Sequence, residues 1–341
     1  MNRRQILRVL LGAAYGSFTF SFANAEEKES VGENTRLAPN FLRKGADPWV
    51  VKRDGTYYWS QSDNSKREIC LWVSDSLNVP GERKTIWTAP KNGPVSRELW
   101  APEIHFHNNL WYVLFAASNG LNENHRSYVL VSKSEDPFSE YKLRGPFYTG
   151  DDEKGKENNR WAIDSTFFEY RGKFYLIWSG WQDERDIQWL YIAPLDNSLT
   201  RTTGPRVRIC NNDDYLWERV EEKIGARGLA EGPEILNAPN GRVFLSYSCG
   251  ASWLPTYKVG MLELVGDDPL DANSWKKFDK PWFQSDEFQF GVGHGSFIRD
   301  KEGQMRYVYH AKTKRDGGWG DRAVFWRYVD FDQQGFPVIR Y

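Results

Sequence analysis

The chain has 341 residues, a formal net charge of −1 and aromatic side chains at 16% of its positions. A charge so close to zero gives no reason to expect a nucleic acid or an anionic membrane surface as a partner. The length allows one large domain or two ordinary ones, and the frequent aromatics favour β-strands, with most of these rings expected in the core.

The first 25 residues have the pattern of an export signal. A basic start with Arg3 and Arg4 precedes an apolar stretch, and the run Ala-Asn-Ala ends at Ala25 before an acidic segment. This predicts a signal peptide at residues 1–25 and a mature chain at residues 26–341. The paired arginines leave both the general secretory route and the twin-arginine route open. No later stretch is long and apolar enough to span a membrane, so we expect a periplasmic or secreted protein.

After the signal, one layout occurs five times: an extended entry, a tight turn, an aromatic strand, a second turn and another strand. The five turns hold short dipeptides typical of hairpins, namely Asp54-Gly55, Asn108-Asn109, Arg171-Gly172, Asn240-Gly241 and Glu302-Gly303. The repeat length is about 55 to 70 residues, near the range of kelch repeats. No helical periodicity persists after Ala25.

Repeated units of three or four short antiparallel strands are typical of propeller blades. The sequence therefore predicts an all-β fold, a five-bladed β-propeller in a single domain. A β-sandwich or two small β domains are the alternatives, because sandwiches also show regular strand spacing. The three cysteines, Cys70, Cys210 and Cys249, allow at most one intramolecular disulfide, and no closely spaced cysteine pair indicates a zinc site.

Polar residues recur at the blade entries. Asp47, Ala101 and Asp164 each lie eight residues before the second residue of their turn. Glu231 and His294 are aligned together one place earlier, if the fourth turn is taken as one residue longer. Entry strands line the central channel of a propeller. Asp47, Asp164, Glu231 and His294 are therefore expected to converge near one mouth of that channel. For any single acid, a surface or turn-capping role is the alternative.

With these features the chain resembles glycoside hydrolase family 43, within the larger group of five-bladed-propeller glycosidases. The resemblance covers essentially the whole mature chain and rests on one motif for each blade, in order: GADPWVV, LWAPEIHF, AIDSTFF, AEGPEIL and GVGHGSF. The motifs of invertase-like relatives, which use a nucleophilic aspartate, are missing. The resemblance thus implies hydrolysis with inversion and not a retaining fructosidase.

By motif position, the resemblance implies that Asp47 is the general base, that Glu231 is the general acid, and that Asp164 orients the acid and tunes its pKa. His294 matches a histidine that lies on the axis near a bound metal, often calcium, in many family members. No organic cofactor is implied. The chemistry is consistent with this, since inversion needs a proton donor and a water-activating carboxylate about 6.5 to 9.5 Å apart. Opposed blades can supply that spacing.

Within the family, GVGHGSF, YHAK and GGWGDR are most similar to exo-acting α-L-arabinofuranosidases, which implies an arabinose-containing oligosaccharide or polysaccharide as the partner. Arg322 is a candidate for binding the terminal sugar, and Trp49 and Trp100 are candidates for stacking on it. A β-xylosidase, an endo-arabinanase or a galactosidase of the same family stays open, because specificity depends on loops. A carbohydrate-binding propeller without catalysis and a protein-interaction propeller are less favoured alternatives.

The stretch GLAEGPEIL contains two glutamates, Glu231 and Glu234, and the repeats alone do not choose between them. Glu234 aligns with Glu103 of the second blade, which has no catalytic role in the family pattern. Glu231 precedes Gly-Pro as the acid of the family does. We therefore predict Glu231 as the proton donor and a positional or structural role for Glu234.

Overall fold

A computed structural model describes residues 38–63, 67–79, 81–152, 159–183 and 187–341. Contacts within the chain define a compact unit that runs from Leu37 to Tyr341. The signal peptide predicted at residues 1–25 and the first residues of the predicted mature chain lie outside the described residues, so both remain predictions. No helix in the described part of the chain is long and apolar enough to cross a membrane.

The chain enters the fold through a short strand, β1 (Asn40–Lys44), which belongs to the last sheet. The first complete sheet follows with β2 (Ala46–Arg53), β3 (Thr56–Ser62), β4 (Glu68–Ser74) and β5 (Glu82–Thr88). The second contains β6 (Arg97–His107), β7 (Leu110–Ser118), β8 (Arg126–Ser132) and β9 (Tyr141–Arg144). In both sheets the strands are antiparallel and neighbours in sequence are neighbours in space.

The third and fourth sheets repeat this order. The third contains β10 (Ala162–Tyr170), β11 (Lys173–Trp181), β12 (Gln188–Pro194) and β13 (Val207–Cys210). The fourth contains β14 (Ala230–Asn237), β15 (Val243–Cys249), β16 (Lys258–Leu264) and β17 (Trp275–Lys277). The entry strands β2, β6, β10 and β14 each begin a sheet, and neighbouring entry strands contact each other around the axis.

The fifth sheet joins the two ends of the described chain. It contains β18 (Phe290–Arg299), β19 (Met305–Lys312), β20 (Arg322–Phe331) and β21 (Pro337–Ile339) together with β1. One edge of β20 pairs with β1 over part of its length and with β21 over the rest. This pairing closes the ring, and the outer edge of each blade is formed by a short strand.

The structure confirms the predicted five-bladed β-propeller, and the alternatives of a sandwich or two small β domains are wrong. The first three predicted turns have positive φ at both residues, for example 49° at Asp54 and 79° at Gly55, as a two-residue hairpin turn of type I′ requires. The fourth and fifth turns are longer. There β14 ends at Asn237 and β15 begins at Val243, and the corresponding gap in the fifth blade runs from Arg299 to Met305.

The hydrophobic core is divided among the blade interfaces. Each of five large clusters in the described chain combines buried side chains of two neighbouring blades, including the first with the fifth. Burial of these aromatic and aliphatic side chains stabilises the ring as a whole, because a single blade cannot cover both of its faces. Cys70, Cys210 and Cys249 are buried in this core as free thiols.

Candidate active site

Each entry strand contains a β-bulge where it approaches the axis, and the bulge fixes which side chain enters the channel. The ladder between the first two strands of each blade shifts register at this point. The first residue of the bulge has the same left-handed backbone conformation in all five blades. Its φ is 54° at Asp47, 44° at Ala101, 52° at Asp164, 56° at Gly232 and 45° at His294. Bulges often serve to redirect a side chain next to an active site.

This register corrects one part of the sequence alignment. His294 is equivalent to Asp47 and Asp164, whereas Glu231 lies one residue before the equivalent position, which Gly232 occupies. The predicted shared register of Glu231 and His294 is therefore wrong. The physical reason is the longer turn in both the fourth and the fifth blade, which moves both bulges by one residue relative to the turn glycine.

Gly232 is needed at its position for two reasons. Its φ of 56° is one that side chains with a Cβ rarely adopt. In addition, a Cβ on Gly232 would lie 2.8 Å from the ring of His294. The glycine thus lets the fourth blade approach the fifth blade closely, directly beside Glu231.

The four predicted polar residues line one pocket of about 460 Å³ at the mouth of the channel, as predicted from the entry strands. Arg322 and Trp100 also line it. All four side chains are largely buried, so their charges are poorly solvated and depend on one another. The wall of the pocket also contains Ser62, Trp161, Ser252, Trp253 and Trp319.

Asp47 is surrounded by polar side chains, and its own backbone amide donates a hydrogen bond to His310 Nδ1 at 3.1 Å. The Ser62 hydroxyl donates to Asp47 Oδ2 at 2.6 Å, and Arg322 donates to Asp47 Oδ1 at 3.4 Å. The Nδ1 atoms of His294 and His310 lie 3.3 and 3.2 Å from the same Oδ1 atom. Ser62 is itself fixed, because its oxygen accepts a hydrogen bond from the Ala101 amide at 2.8 Å. The carboxylate is thus held in one orientation.

These contacts keep Asp47 ionised. Burial alone would raise its pKa, but His294, Arg322 and His310 together hold the pKa of Asp47 well below its usual range. The two imidazoles are neutral at neutral pH, because burial lowers the pKa of His294 and lowers that of His310 to about 3. The permanent positive charge beside Asp47 is therefore the guanidinium of Arg322.

The surroundings of Glu231 shift its pKa in the opposite direction, upward. Burial raises its pKa to about 7, and the nearby charge of Asp47 adds to this, while the Tyr257 hydroxyl and Arg322 act against it. Tyr257 donates to Glu231 Oε1 at 2.8 Å. A carboxyl group with a pKa near neutrality can give up a proton and recover it during turnover.

Asp164 links the other two acids. Its Oδ2 accepts a hydrogen bond from the Gly232 amide at 3.2 Å, so it holds the backbone directly after Glu231. Burial, followed by the charges of Glu231 and Asp47, raises the pKa of Asp164 well above its usual range. This geometry suits a residue that orients the backbone of the neighbouring acid, and the repulsion among the three acids raises the pKa of Asp164 itself.

The side chains around His294 offer few of the ligands that calcium prefers. Calcium prefers six to eight oxygen ligands, whereas His294 offers ring nitrogens, one of which faces Asp47. Within the described ranges, no group of three or more His, Cys, Asp or Glu side chains is arranged to hold a metal ion. These side chains do not by themselves fit a calcium site. A calcium ion near His294 stays a prediction.

One of the two tryptophans predicted to bind substrate is placed elsewhere. Trp49 is 8% exposed, packs in the core between the first two blades and donates from Nε1 to the Ile104 carbonyl at 2.8 Å. It does not line the pocket, because it lies beyond the bulge and points between blades, so this prediction is wrong. Trp100 does line the pocket, with its ring stacked on His125 at 3.8 Å between centroids.

Glu234 and Glu103 occupy equivalent positions two residues beyond their bulges, as predicted. Both are buried, and burial raises the pKa of each well above the usual range. Glu234 Oε1 is contacted by the Phe297 amide at 3.4 Å. Neither residue lines the pocket that holds Glu231.

Sequence reasoning missed Ser62, His310 and Tyr257. His310 lies within the YHAK motif, and the parallel rings of His310 and Tyr257 stack at 5.8 Å. Ser62 is the last residue of β3, where a serine has no distinguishing pattern. Tyr257 comes from the connection before β16 and reads as the start of a strand, so no local signal indicates its contact with Glu231.

Comparison with known proteins agrees with this geometry. The profile of the glycosyl hydrolases family 43 matches residues 39–337. An extracellular exo-α-(1→5)-L-arabinofuranosidase from Streptomyces chartreusis is 31% identical over 327 residues, covering 92% of this chain and 93% of the relative. A protein of the same description from Streptomyces avermitilis is 32% identical, covering 94% of this chain and 66% of the relative.

Among solved structures, the α-L-arabinofuranosidase from Lactobacillus brevis superposes with a TM-score of 0.77 and 28% identity, covering 88% of this chain and 97% of that one. The family assignment rests on the blade order, on the buried acids of the pocket and on the match along nearly the whole described chain. The chain is a glycosidase that belongs to glycosyl hydrolase family 43.

Proposed function

We propose that this glycosidase removes terminal α-L-arabinofuranosyl residues from arabinan-type chains, with inversion at the anomeric carbon. One observation carries the mechanism: a single pocket holds an acid kept ionised, Asp47, and an acid with a pKa of about 7, Glu231. They extend from the first and fourth blades. Acids on separate blades leave room for a sugar ring and a water molecule between them.

Asp47 serves as the general base. Its low pKa keeps it ionised across the working range, and Ser62 and Arg322 fix its orientation. It accepts a proton from a water molecule as the water oxygen forms its bond to the anomeric carbon. The two histidines beside it are neutral at neutral pH and act as fixed polar partners, not as competing bases.

Glu231 serves as the general acid. It gives its proton to the glycosidic oxygen as the bond from that oxygen to the anomeric carbon breaks, and the leaving sugar departs as an alcohol. Tyr257 then stabilises the new carboxylate through its hydrogen bond, and Asp164 holds the adjacent backbone. After product release, Glu231 regains a proton from solvent and Asp47 loses one, which restores the starting state.

The substrate part of the proposal is supported by the relatives. The two Streptomyces proteins and the Lactobacillus brevis structure all carry arabinofuranosidase descriptions, and the former are described as exo-acting on α-(1→5) linkages. Arg322 lines the pocket beside Asp47, where it can also contact hydroxyl groups of the terminal sugar. The expected partner is therefore an arabinose-containing oligosaccharide or polysaccharide.

Product analysis tests the substrate. Linear α-1,5-arabinan should release arabinose alone at early times, measured by anion-exchange chromatography. Early accumulation of longer oligosaccharides would indicate an endo-arabinanase. Release of xylose from xylobiose, with arabinan untouched, would indicate a β-xylosidase, and release of galactose alone from a panel of nitrophenyl glycosides would indicate a galactosidase.

Proton NMR tests the stereochemistry. During rapid hydrolysis of arabinobiose, the first arabinose released from the non-reducing end should have the β configuration, because inversion of an α linkage gives the β anomer. An α anomer formed first would contradict the roles given to Asp47 and Glu231. The measurement must precede mutarotation, so a high enzyme concentration is required.

We also propose that the enzyme acts outside the cytoplasm. The sequence predicts a signal peptide at residues 1–25, and the relatives from both Streptomyces species are described as extracellular. Fractionation of a host expressing the full chain, followed by N-terminal sequencing, tests this. A mature N-terminus at Glu26 in the exported fraction is the expected result, and an uncut chain in the cytoplasm would contradict it.

A further inference from the structure

Two loops place an aromatic pair on the wall of the pocket that holds the general acid. Trp253 lies in the connection between β15 and β16, and β15 pairs directly with the strand that carries Glu231. Trp319 comes from the connection between β19 and β20 in the fifth blade. The rings meet edge to face at 80°, with centroids 5.4 Å apart. Both residues line the same pocket as Glu231.

This pair is held in place from several sides. Trp319 donates from Nε1 to the Ser252 hydroxyl at 3.0 Å. The Leu254 carbonyl accepts a hydrogen bond from the buried Lys312 at 3.0 Å, which anchors the loop that carries Trp253. On the other loop, Asp321 accepts hydrogen bonds from the Lys314 amide and the Thr313 hydroxyl, both at 2.7 Å. The two tryptophan rings are thus held in place before any substrate binds.

Exposure separates Trp319 from the other tryptophans of the pocket. It is 58% exposed, whereas Trp161 is 4% exposed and stacks on Trp181 at 4.8 Å. Trp100 is half-buried, with one face covered by His125. A large aromatic ring left open to solvent at the mouth of a binding pocket is an exposed apolar surface that a ligand can cover.

We propose that Trp319, supported by Trp253 and Ser252, is the stacking platform for the sugar ring on the leaving side of the scissile bond. The inference rests on the proposed function, because the leaving sugar must lie beside the group that protonates its oxygen. Trp253 belongs to the blade of that group, Glu231. A flat ring can cover the apolar C–H face of a furanose, while the hydroxyl groups of the sugar stay in water.

A pair of substrates with similar leaving groups isolates this contact. α-1,5-L-Arabinobiose places a sugar on the leaving side, and methyl α-L-arabinofuranoside places only a methyl group there. Without a proton, both leaving groups would be poor alkoxides, so both need protonation by Glu231 and depart as alcohols. The Trp319→Ala variant should lower kcat/KM for arabinobiose about tenfold, mainly through KM, and should leave the methyl glycoside within about twofold of wild type.

Two further variants separate stacking from structure. Trp319→Phe retains a flat ring and should recover most of the activity on arabinobiose. Phe138→Ala removes an exposed aromatic that does not line the pocket and should change neither substrate. Arg322 donates from Nε to the Trp319 backbone carbonyl at 3.3 Å, and a change of the Trp319 side chain keeps that carbonyl.

Three results for Trp319→Ala would contradict the role of Trp319 as a stacking platform. They are an equal loss of kcat/KM on both substrates, no loss on either, or new release of oligosaccharides from within arabinan. The last would mean that Trp319 blocks the chain and does not hold a leaving sugar. A wild-type enzyme that cleaves neither substrate overturns the proposed function instead. In that case the platform survives only if xylobiose and methyl β-xyloside show the same selective loss in Trp319→Ala.

Discussion

The hydrogen bond from Tyr257 to Glu231 gives a quantitative test of the proton donor. Both side chains are buried, and the Tyr257 hydroxyl lies 2.8 Å from Glu231 Oε1. Burial, with the charge of Glu231 next, raises the pKa of Tyr257 well above its usual range, so the phenol stays protonated and remains the donor. The bond therefore favours the ionised form of Glu231, whose pKa is about 7.

The Tyr257→Phe variant removes this donor and leaves a ring of the same shape. A hydrogen bond to a charged group contributes about 1.5 kcal/mol or more, and about 1.4 kcal/mol corresponds to one pH unit. A general acid must be protonated, so activity falls as the pH rises through its pKa. The pKa of Glu231 should rise in the variant, and the alkaline limb of kcat/KM should move up by about one pH unit.

The assay is kcat/KM against pH with arabinobiose, because this profile reports the free enzyme. At pH 8, Tyr257→Phe should keep a larger fraction of its own maximal activity than wild type. Tyr309→Phe is a matched control, since its buried hydroxyl donates to Gln289 at 2.8 Å outside the pocket. An alkaline limb that stays in place or moves down in Tyr257→Phe would refute the role of Glu231 as the acid.

Three further predictions concern the other predicted residues. Glu231→Gln should lower the rate on arabinan by a factor of about 10² to 10⁴ and spare dinitrophenyl substrates. Glu234→Gln should lower the rate on both substrates alike. The reverse pattern would mean that Glu234, and not Glu231, is the proton donor. The family resemblance predicts calcium in protein purified without chelator and its loss in His294→Ala, measured by emission spectrometry; equal content would remove the ligand role. Trp49→Phe should lower the free energy of unfolding by about 1 to 3 kcal/mol at nearly unchanged KM, and Trp100→Ala should raise KM; a KM effect at Trp49 alone would contradict its core position.

The blades could be predicted because their signals are local. Asp54 and Gly55 adopt the positive φ values that a two-residue hairpin needs, and the dipeptide itself indicates that conformation. The alternation of turns and aromatic strands then gives the number of blades. The motif residues Asp47 and Asp164 could be placed at the pocket for the same reason, since short turns keep their register fixed.

The parts that could not be predicted depend on distant partners. The closure of the ring pairs Asn40 with Trp326, and nothing in the short strand β1 indicates a partner at the other end of the chain. The register of Glu231 depended on turn length, which the Asn240-Gly241 dipeptide does not determine. The hydrogen bond from Tyr257 depends on how a connection folds back over its own blade.

The bulges show how architecture and chemistry combine at this site. A left-handed residue other than glycine costs on the order of 1 kcal/mol, yet Asp47, Ala101, Asp164 and His294 all adopt this conformation. Ala101 has no polar side chain to place, although its amide holds Ser62 against Asp47. The bulge occurs in all five entry strands, whatever side chain they carry, and is therefore a property of strands that must bend around a narrow axis. Catalytic function then depends on which side chain stands at or beside each bulge, so acids could collect at this mouth of the channel without a change in the blades.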